Sequence, residues 1–300
     1  MTITFCPAPK PVASPLFSIL IPTWNNLALV KLCVESIQKN STYAHQIILH
    51  INDGNDGTLQ WAKNQELDYT HSPQNVGICY ACNAAFALAQ ADYIVYMNDD
   101  MYACPNWDAQ LWQAVEDYQK DDFYFSATMI ERLDTGSHFV VCPHNFGDSV
   151  ANFQEQALLE SYASLAIADW QGANYPPSLM HRRYWQLIGG FSTEFSPGMY
   201  SDPDICMKLW QAGVRNFRGV GSSLVYHFMS KSVERVKKNN GSKQFLKKWG
   251  ITSHTFQKYY IGLDNQATDV RYRGILSNPS PTRSFKMALW LGRLKLFLHL

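Results

Sequence analysis

Short apolar runs of β-type residues alternate with segments of helical periodicity through the first 130 residues of the chain. Polar residues or Pro end the runs, and between them apolar residues recur every three or four positions. This alternation is typical of βαβ units, so we expect an α/β fold with a Rossmann-like, mostly parallel sheet flanked by helices. The predicted strands are 17–21, 46–51, 93–97 and 123–130, and the predicted helices are about 29–40, 58–64, 76–90 and 107–120.

The second half of the chain is less regular. Helical patterns cover 180–188 and 204–212, a strand is predicted over 224–228, and the chain from 231 onward is basic with a helical pattern. We therefore predict a lead (1–15), a main domain (16–230) and a basic, mostly helical C-terminal extension (231–300).

Charge divides the chain although the formal net charge is zero. Residues 1–230 hold 11 Lys and Arg against 22 Asp and Glu, whereas residues 231–300 hold 14 against 3. The zero balance gives no overall attraction to nucleic acid, and an apolar fraction of 46% excludes global disorder. The basic extension either packs on its own acidic domain or meets an anionic lipid or polymer.

The last 17 residues, 284–300, are rich in Phe, Leu and Trp and contain no acidic residue. They are too few to span a bilayer, which takes about 20 residues. On a helical wheel Lys286 and Arg293 share a face and Lys295 falls opposite, so the amphipathic pattern is imperfect. Peripheral membrane contact and docking on the chain itself or on a partner subunit both stay open.

The seven cysteines are scattered, and residues 1–10 lack the charged start and apolar run of a secretory leader. Reduced thiols in the cytoplasm are the simplest account, with the inner face of the membrane as a location for the extension. Cys79 and Cys82 form one C-x-x-C inside a helical pattern, where core packing is favoured over a metal or redox role.

Polar clusters follow three of the predicted strands, at residues 22–26, 52–58 and 98–100. In parallel sheets, ligands bind at the carboxyl ends of the strands, so these clusters predict a binding site. Asn98-Asp99-Asp100 offers hard oxygen ligands that suit Mg²⁺ or Mn²⁺, or forms an ordinary acidic turn.

The other candidate residues also have two interpretations each. Asp53 could accept a hydrogen bond from a nucleobase or sit in an Asx turn, and Trp24 could stack on a base or pack in the core. Asp202 could be a general base or a helix cap, and His227 a metal ligand or a structural residue.

The order and spacing of the motifs resemble the family 2 glycosyltransferases, nucleotide-sugar enzymes with the GT-A fold, over about residues 16–250. Residues 18–25 resemble the family's opening strand, and residues 52–58 resemble its Asp-Asp-Gly-Ser turn. Residues 75–83 resemble its Asn-x-Gly…Ala-Arg-Asn helix start, and residues 97–100 resemble its DXD segment. Residues 189–204 resemble its Gly-Gly-Phe-Asp-Glu…Glu-Asp-x-Asp acceptor motif, and residues 225–227 resemble its Val-x-His.

The resemblance implies an inverting, metal-assisted transfer of a sugar from a nucleotide sugar to a hydroxyl of a glycan or lipid-linked glycan, as in polysaccharide biosynthesis. It implies that Asp202 is the catalytic base and that Asp100 and His227 bind Mn²⁺ or Mg²⁺. It assigns acceptor binding to Gly172 and Asp204. The implied nucleotide-binding residues are Pro22, Trp24, Asn25, Asp53, Asn75, Gly77, Asn83, Asn98 and Asp99.

Three positions depart from the family pattern. Asn98 replaces the first Asp of DXD, Cys82 replaces the helix Arg, and Ser201 replaces the Glu beside Asp202. A catalytically silent sugar-nucleotide-binding or scaffold protein is therefore an alternative. A nucleotidyltransferase is another, although residues 21–30 lack the Gly-rich loop with Arg and Lys that it would normally carry.

Overall fold

A ten-stranded sheet forms the centre of the molecule, in a computed structural model that describes residues 2–229, 239–264, 267 and 269–298. The strand order is β1-β4-β3-β2-β5-β9-β7-β10-β6, with β8 paired to β10. The strands are β1 (Thr4–Cys6), β2 (Phe17–Trp24), β3 (Gln46–Asn52), β4 (Asp68–Ser72), β5 (Tyr93–Tyr96), β6 (Met101–Ala103), β7 (Phe123–Glu131), β8 (Trp170–Gln171), β9 (Ser178–His181) and β10 (Asn216–His227).

Most of the sheet is parallel, as the sequence predicts. β4, β3, β2, β5, β7 and β10 share one direction, and the shorter β1, β6, β8 and β9 oppose them. The helices are α1 (Leu27–Asn40), α2 (Thr58–Asn64), α3 (Gly77–Phe86), α4 (Trp107–Tyr118), α5 (Glu155–Ser161), α6 (Arg182–Ile188), α7 (Ser201–Gln211), α8 (Gly241–Trp249), α9 (Ser253–Tyr259) and α10 (Arg283–Phe297).

Both faces of the sheet are covered, which explains why its central strands are apolar at nearly every position. Along β2, Ile19 and Ile21 pack with Val30 and Cys33 of α1, whereas Leu20 packs on the other face with Cys82 of α3. The period-two alternation of a strand thus supplies two cores, one on each side of the sheet.

Several elements differ from the sequence predictions. The predicted helix over 180–188 is wrong at its start, because Met180 lies in β9 and α6 begins only at Arg182. β9 inserts antiparallel between β5 and β7, so its residues are held by pairing partners distant in sequence. α7 begins at Ser201, three residues before the predicted start, and this places Asp202 in its first turn.

The C-terminal extension packs against the main domain. Tyr272 donates a hydrogen bond from its hydroxyl to the Asn216 side chain at 2.7 Å, and α9 contacts α7. Lys248 of α8 forms ion pairs with Glu194 and Asp204 at 2.8 and 2.9 Å. The sequence left two alternatives for the basic extension, and α8 shows the first of them, packing on the acidic main domain. The domain boundaries stay a prediction.

Within the described residues, no helix has both the length and the apolar character needed to cross a membrane. The seven cysteines are free thiols, and Cys79 and Cys82 are fully buried in α3. Burial, with the nearby acidic side chains of Asp202, Asp204 and Glu194, raises the pKa of Cys79 to about 12. Core packing therefore accounts for the C-x-x-C pair.

Candidate active site

The polar clusters at the carboxyl ends of the strands surround a single cavity of about 410 Å³. Nine of the predicted site residues line it, and they come from both halves of the chain. These nine are Pro22, Trp24, Asn75, Gly77, Asn98, Asp99, Asp100, Asp202 and His227.

Sheet pairing explains how Asp100 and His227 meet although 126 intervening residues separate them. β6 begins directly after Asp100 and runs antiparallel to β10, with Met101 opposite His227. The His227 Nε2 atom then lies 3.5 Å from Asp100 Oδ2. Each side chain is held at the end of a buried strand, so their separation is set by the backbone register.

Glu131 holds the other side of the His227 ring. β7 and β10 are parallel neighbours, and their register places Glu131 beside His227. A carboxylate oxygen of Glu131 lies 2.7 Å from His227 Nδ1, which directs Nε2 toward Asp100. Burial disfavours the charged imidazole, but the charges and hydrogen bonds of Asp100 and Glu131 outweigh it and raise the pKa of His227 to about 10.

The donor atoms of this corner fit a divalent cation, although the described residues contain no cluster of three or more candidate metal ligands. Asp100 supplies a carboxylate and His227 an imidazole whose second nitrogen is bonded to a carboxylate, an arrangement common to metal-binding histidines. Mg²⁺ and Mn²⁺ sites often use one or two protein side chains and complete the shell with substrate phosphates and water. Two protein ligands therefore suffice here.

The rest of the acidic segment is fixed by hydrogen bonds. The Thr23 hydroxyl donates to Asp99 Oδ2 at 2.7 Å, and the Tyr96 hydroxyl donates to Asn98 Oδ1 at 2.8 Å. Asp99 and Asp100 are 9% and 5% exposed, so their remaining surface faces the cavity alone. An ordinary solvated turn would leave such carboxylates far more open to water.

Trp24 lies at the end of β2 and lines the cavity next to Asn52, its pairing partner at the end of β3. Asn52 also accepts a hydrogen bond from the Val76 backbone N–H at 2.8 Å, which fixes the loop before α3. The indole is partly exposed toward the cavity, so it is placed as a base-stacking residue would be.

Asn25 and Asp53 lie just outside the cavity lining and join two strand-end loops. The Asn25 side chain donates to Asp53 Oδ2 at 2.9 Å and accepts from the Gly54 N–H at 2.9 Å. Both residues have positive φ, which Asn and Asp tolerate better than most side chains. The Leu27 N–H at the start of α1 donates to Asp56 Oδ2 at 2.8 Å, and the side chain of the N-cap residue Asn26 makes no capping hydrogen bond.

Asp202 lies in the first turn of α7, which forms a second wall of the same cavity. The lining also includes the uncharged residues Ile78, Pro176, Pro197 and Met199. Burial alone raises the pKa of Asp202 to about 7. A carboxylate with this pKa can release and accept a proton near neutral pH, which is the property a general base requires.

The turn at Asn75 and Gly77 connects the two walls. The Asn75 side chain accepts from the Gly77 N–H at 2.9 Å, and Ile78 N–H donates to Pro197 O at 2.9 Å. Gly77 has φ +79°, and a Cβ there would lie 2.3 Å from Ser196 Oγ. Only glycine therefore allows the Ser196–Pro197 loop to come this close to α3.

Besides Asn25 and Asp53, three predicted site residues do not line the cavity. Asn83 bonds Phe191 with both amide atoms, at 2.8 and 2.9 Å, and so ties α3 to the turn after α6. Gly172 packs under Ile261 of the C-terminal extension, where a Cβ would lie 2.7 Å from a carbonyl oxygen. Asp204 is fully buried and bonded to Lys248 and Trp249. Their predicted substrate contacts stay predictions.

The sequence analysis missed Glu131, and it included Thr23 and Asn52 only as members of polar clusters, without a role for either. Glu131 and Asn52 are the last residues of β7 and β3, and Thr23 is one residue from the end of β2. Polar side chains at the carboxyl ends of predicted parallel strands were thus a usable signal for all three.

Comparison with known proteins finds matches over the part of the chain that contains most of the motifs. Residues 18–138 match the family model described as Glycosyl transferase family 2. The putative colanic acid biosynthesis glycosyl transferase WcaA of Escherichia coli is 29% identical over 102 residues, which cover 31% of this chain and 35% of WcaA. An uncharacterized protein of Sinorhizobium fredii, y4gI, is 21% identical over 234 residues, which cover 71% of this chain and 24% of y4gI.

Solved structures share the fold at low sequence identity. A fragment of S. aureus TarS, residues 1–349, is 14% identical with a TM-score of 0.50, over 70% of this chain and 60% of the fragment. The longer TarS structure is 12% identical with a TM-score of 0.52, over 77% of this chain and 39% of TarS. The TarS fragment was also solved in complex with UDP.

The chain spans about a quarter to a third of the curated relatives it matches. The family match covers β2 to β7, and therefore includes Asp100 but neither Asp202 nor His227. The solved structures extend the shared fold over most of the chain. On these grounds residues 18–138 match the family 2 glycosyltransferases, and most of the chain shares the GT-A fold.

Proposed function

We propose that this protein transfers a sugar from a nucleoside diphosphate sugar to a hydroxyl group of a glycan, with inversion at the anomeric carbon. The observation that carries the proposal is the cavity that is lined both by the Asp100–His227 pair and by Asp202. An inverting displacement needs a base on one face of the sugar and stabilisation of the leaving group on the opposite face.

In this proposal, Trp24 stacks on the nucleobase, and Asp53 accepts a hydrogen bond from it at the edge of the cavity. Asn75, Gly77, Asn98 and Asp99 surround the remainder of the donor. Asp100 and His227 would hold Mn²⁺ or Mg²⁺, which supplies positive charge to the departing diphosphate. Glu131 keeps Nε2 of His227 directed at that position.

Asp202 acts on the acceptor. Its carboxylate takes the proton from the acceptor hydroxyl while the hydroxyl oxygen forms a bond to the anomeric carbon. The bond from that carbon to the diphosphate oxygen breaks, and the electron pair leaves with the diphosphate. The apolar side chains of Ile78 and Met199 also line the cavity, and they suit the apolar face of a sugar ring.

The printed names of two relatives guide the choice of substrates. WcaA is named for colanic acid biosynthesis, which favours a polysaccharide or lipid-linked glycan acceptor for this chain. TarS was solved with UDP, so UDP and UDP-sugars are the first donors to test. We further infer a cytoplasmic location with access to the inner face of a membrane, where a lipid-linked acceptor would be presented.

The proposal is tested by thermal-shift screening of UDP, GDP and dTDP with Mn²⁺, followed by transfer assays with Asp202→Asn. We expect the variant to keep donor affinity and to lose transfer by about 10²- to 10⁴-fold, the range for loss of a general base. Asp121→Asn is the matched control, because Asp121 lies just before β7, at the amino end of that strand, and pairs with Arg183.

Normal transfer by Asp202→Asn would show that Asp202 is not the base. Nucleotide binding without transfer in the wild type would instead favour the silent binding protein as the alternative.

A further inference from the structure

The last helix, α10, has apolar side chains on two opposite faces. Its inner face packs on the extension, where the ring of Phe285 lies 5.2 Å from that of Tyr259. Gly292, also buried, lets the helix approach Gly250 and Ile251 closely. These contacts fix how α10 is rotated about its axis, and therefore which of its residues face water.

The outer face of α10 is apolar although it is exposed. Its six large apolar residues recur three or four positions apart, which places them along one side of a helix. Isolated exposed apolar residues are ordinary, but a continuous row of them on a short helix marks an interaction surface. We call this row the outer stripe: Met287 (59% exposed), Trp290 (58%), Leu291 (44%), Leu294 (37%), Phe297 (80%) and Leu298 (51%).

Basic side chains border the outer stripe on both sides. By helical spacing, Lys286 and Arg293 flank it on one side and Lys295 on the other, while Arg283 lies at its first turn. All four are exposed, and the sequence has no acidic residue after Asp269. Lys295, which falls opposite Lys286 and Arg293 on a wheel, is thus the second border of the stripe.

We propose that the outer stripe binds the surface of a lipid bilayer that contains anionic head groups. The row of Leu, Trp, Met and Phe enters the boundary between head groups and acyl chains, and the bordering cations pair with lipid phosphates. Trp290 lies within the stripe, and its indole suits this boundary because it has an apolar body and a polar N–H.

A lipid surface fits this face better than a second copy of the chain. If two outer stripes packed against each other about a twofold axis, the bordering cations of both copies would be brought together without acidic partners from either helix. A bilayer with anionic lipids supplies the opposite charge along the whole length of α10.

Flotation of the full chain with vesicles tests the proposal. We expect binding to vesicles of phosphatidylcholine mixed with phosphatidylglycerol, and much weaker binding to phosphatidylcholine alone. Trp290→Ser with Leu294→Ser should lower the partition coefficient at least about tenfold, since each side chain contributes substantial apolar area. Lys286→Gln with Arg293→Gln should lower it about fivefold for each charge removed.

Leu187→Ser is the matched control, because Leu187 is 68% exposed but lies on α6. We expect it to bind vesicles as the wild type does. The melting temperature of each variant should match the wild type, because the substituted residues are exposed. Absence of wild-type binding to both vesicle types, or equal binding by the stripe variant, would overturn the proposal. A dimer by light scattering that the stripe variant abolishes would assign the face to a second copy instead.

Discussion

The two walls of the cavity use the same side chain, aspartate, in opposite surroundings. On one wall Asp100, His227 and Glu131 form a chain of charged groups joined at 3.5 and 2.7 Å. On the other wall, burial is the sole cause that raises the pKa of Asp202. One wall is dominated by interactions between charges, and the other by the removal of water.

The difference shows how position alone separates two chemical roles. Paired carboxylates keep His227 protonated, with its pKa raised to about 10, and make that wall a place where a cation can replace the proton. Isolation raises the pKa of Asp202 to about 7, which makes that carboxyl a proton acceptor near neutral pH. Substitutions on each wall should therefore change different measurable quantities.

The largest effect on nucleotide binding is expected from Asp100→Ala. Removal of a carboxylate ligand should weaken nucleotide binding in Mn²⁺ by about a hundredfold or more. Even the loss of a group that only hydrogen-bonds to a metal ligand costs about 10- to 100-fold in metal affinity. In the presence of a chelator the variant and the wild type should bind nucleotide equally weakly. Isothermal titration calorimetry measures both, with Asp121→Ala as the control carboxylate. Equal wild-type binding in Mn²⁺ and in chelator would contradict a metal site on this wall.

The pH dependence of transfer is the next largest effect. A base must be deprotonated to act, so the rate should rise about tenfold per pH unit below pH 7 and level off above it. Initial rates under saturating donor measure this profile. A rate that is constant between pH 5 and pH 8 would contradict the assignment of Asp202.

The stability of the fold should fall as the pH rises, whereas the transfer rate should increase. The pKa of Asp202 is higher in the folded chain than its usual value of 3.8, so the folded state binds this proton more tightly. The contribution of Asp202 to stability is therefore full below pH 4 and declines through pH 7, by up to a few kcal/mol. Thermal melts should show that Asp202→Asn removes this decline.

The smallest effect is expected from Glu131→Gln. The amide keeps the size of the side chain and an oxygen that can accept from His227 Nδ1, but it removes the charge. Metal affinity should fall about tenfold, at the low end for a group that orients a ligand. A loss as large as that of Asp100→Ala would show that Glu131 binds the metal itself, and no loss would show that His227 does not need this partner.

Local patterns were sufficient to predict the parallel half of the fold and the residues at its strand ends. β2, β3 and β7 are long apolar runs, and the helices between them have a clear periodicity, so chain order alone indicated βαβ units. Six of the nine predicted residues that line the cavity lie at or just after the ends of predicted strands, whereas Asn75, Gly77 and Asp202 were assigned through the family motifs.

The features that the sequence analysis missed depend on pairing between distant segments. β9 has four residues and runs directly into α6, so its short apolar run is indistinguishable from the first turn of a helix. Glu131 and His227 meet only because β7 and β10 are neighbours in one register, across 96 positions of sequence. Asn83 was assigned to nucleotide binding through the family resemblance, and its hydrogen bonds to Phe191 join positions 108 residues apart.

The contact beneath Gly77 has a mechanical consequence. The Ile78 N–H donates to the Pro197 carbonyl, and the Ser196 hydroxyl donates to the Val76 carbonyl, so the start of α3 and the Ser196–Pro197 loop are joined by two hydrogen bonds. In the proposed reaction, this joint would couple movement of the donor side of the cavity to movement of the acceptor side. Opening of the cavity would then be easiest in segments outside the joint.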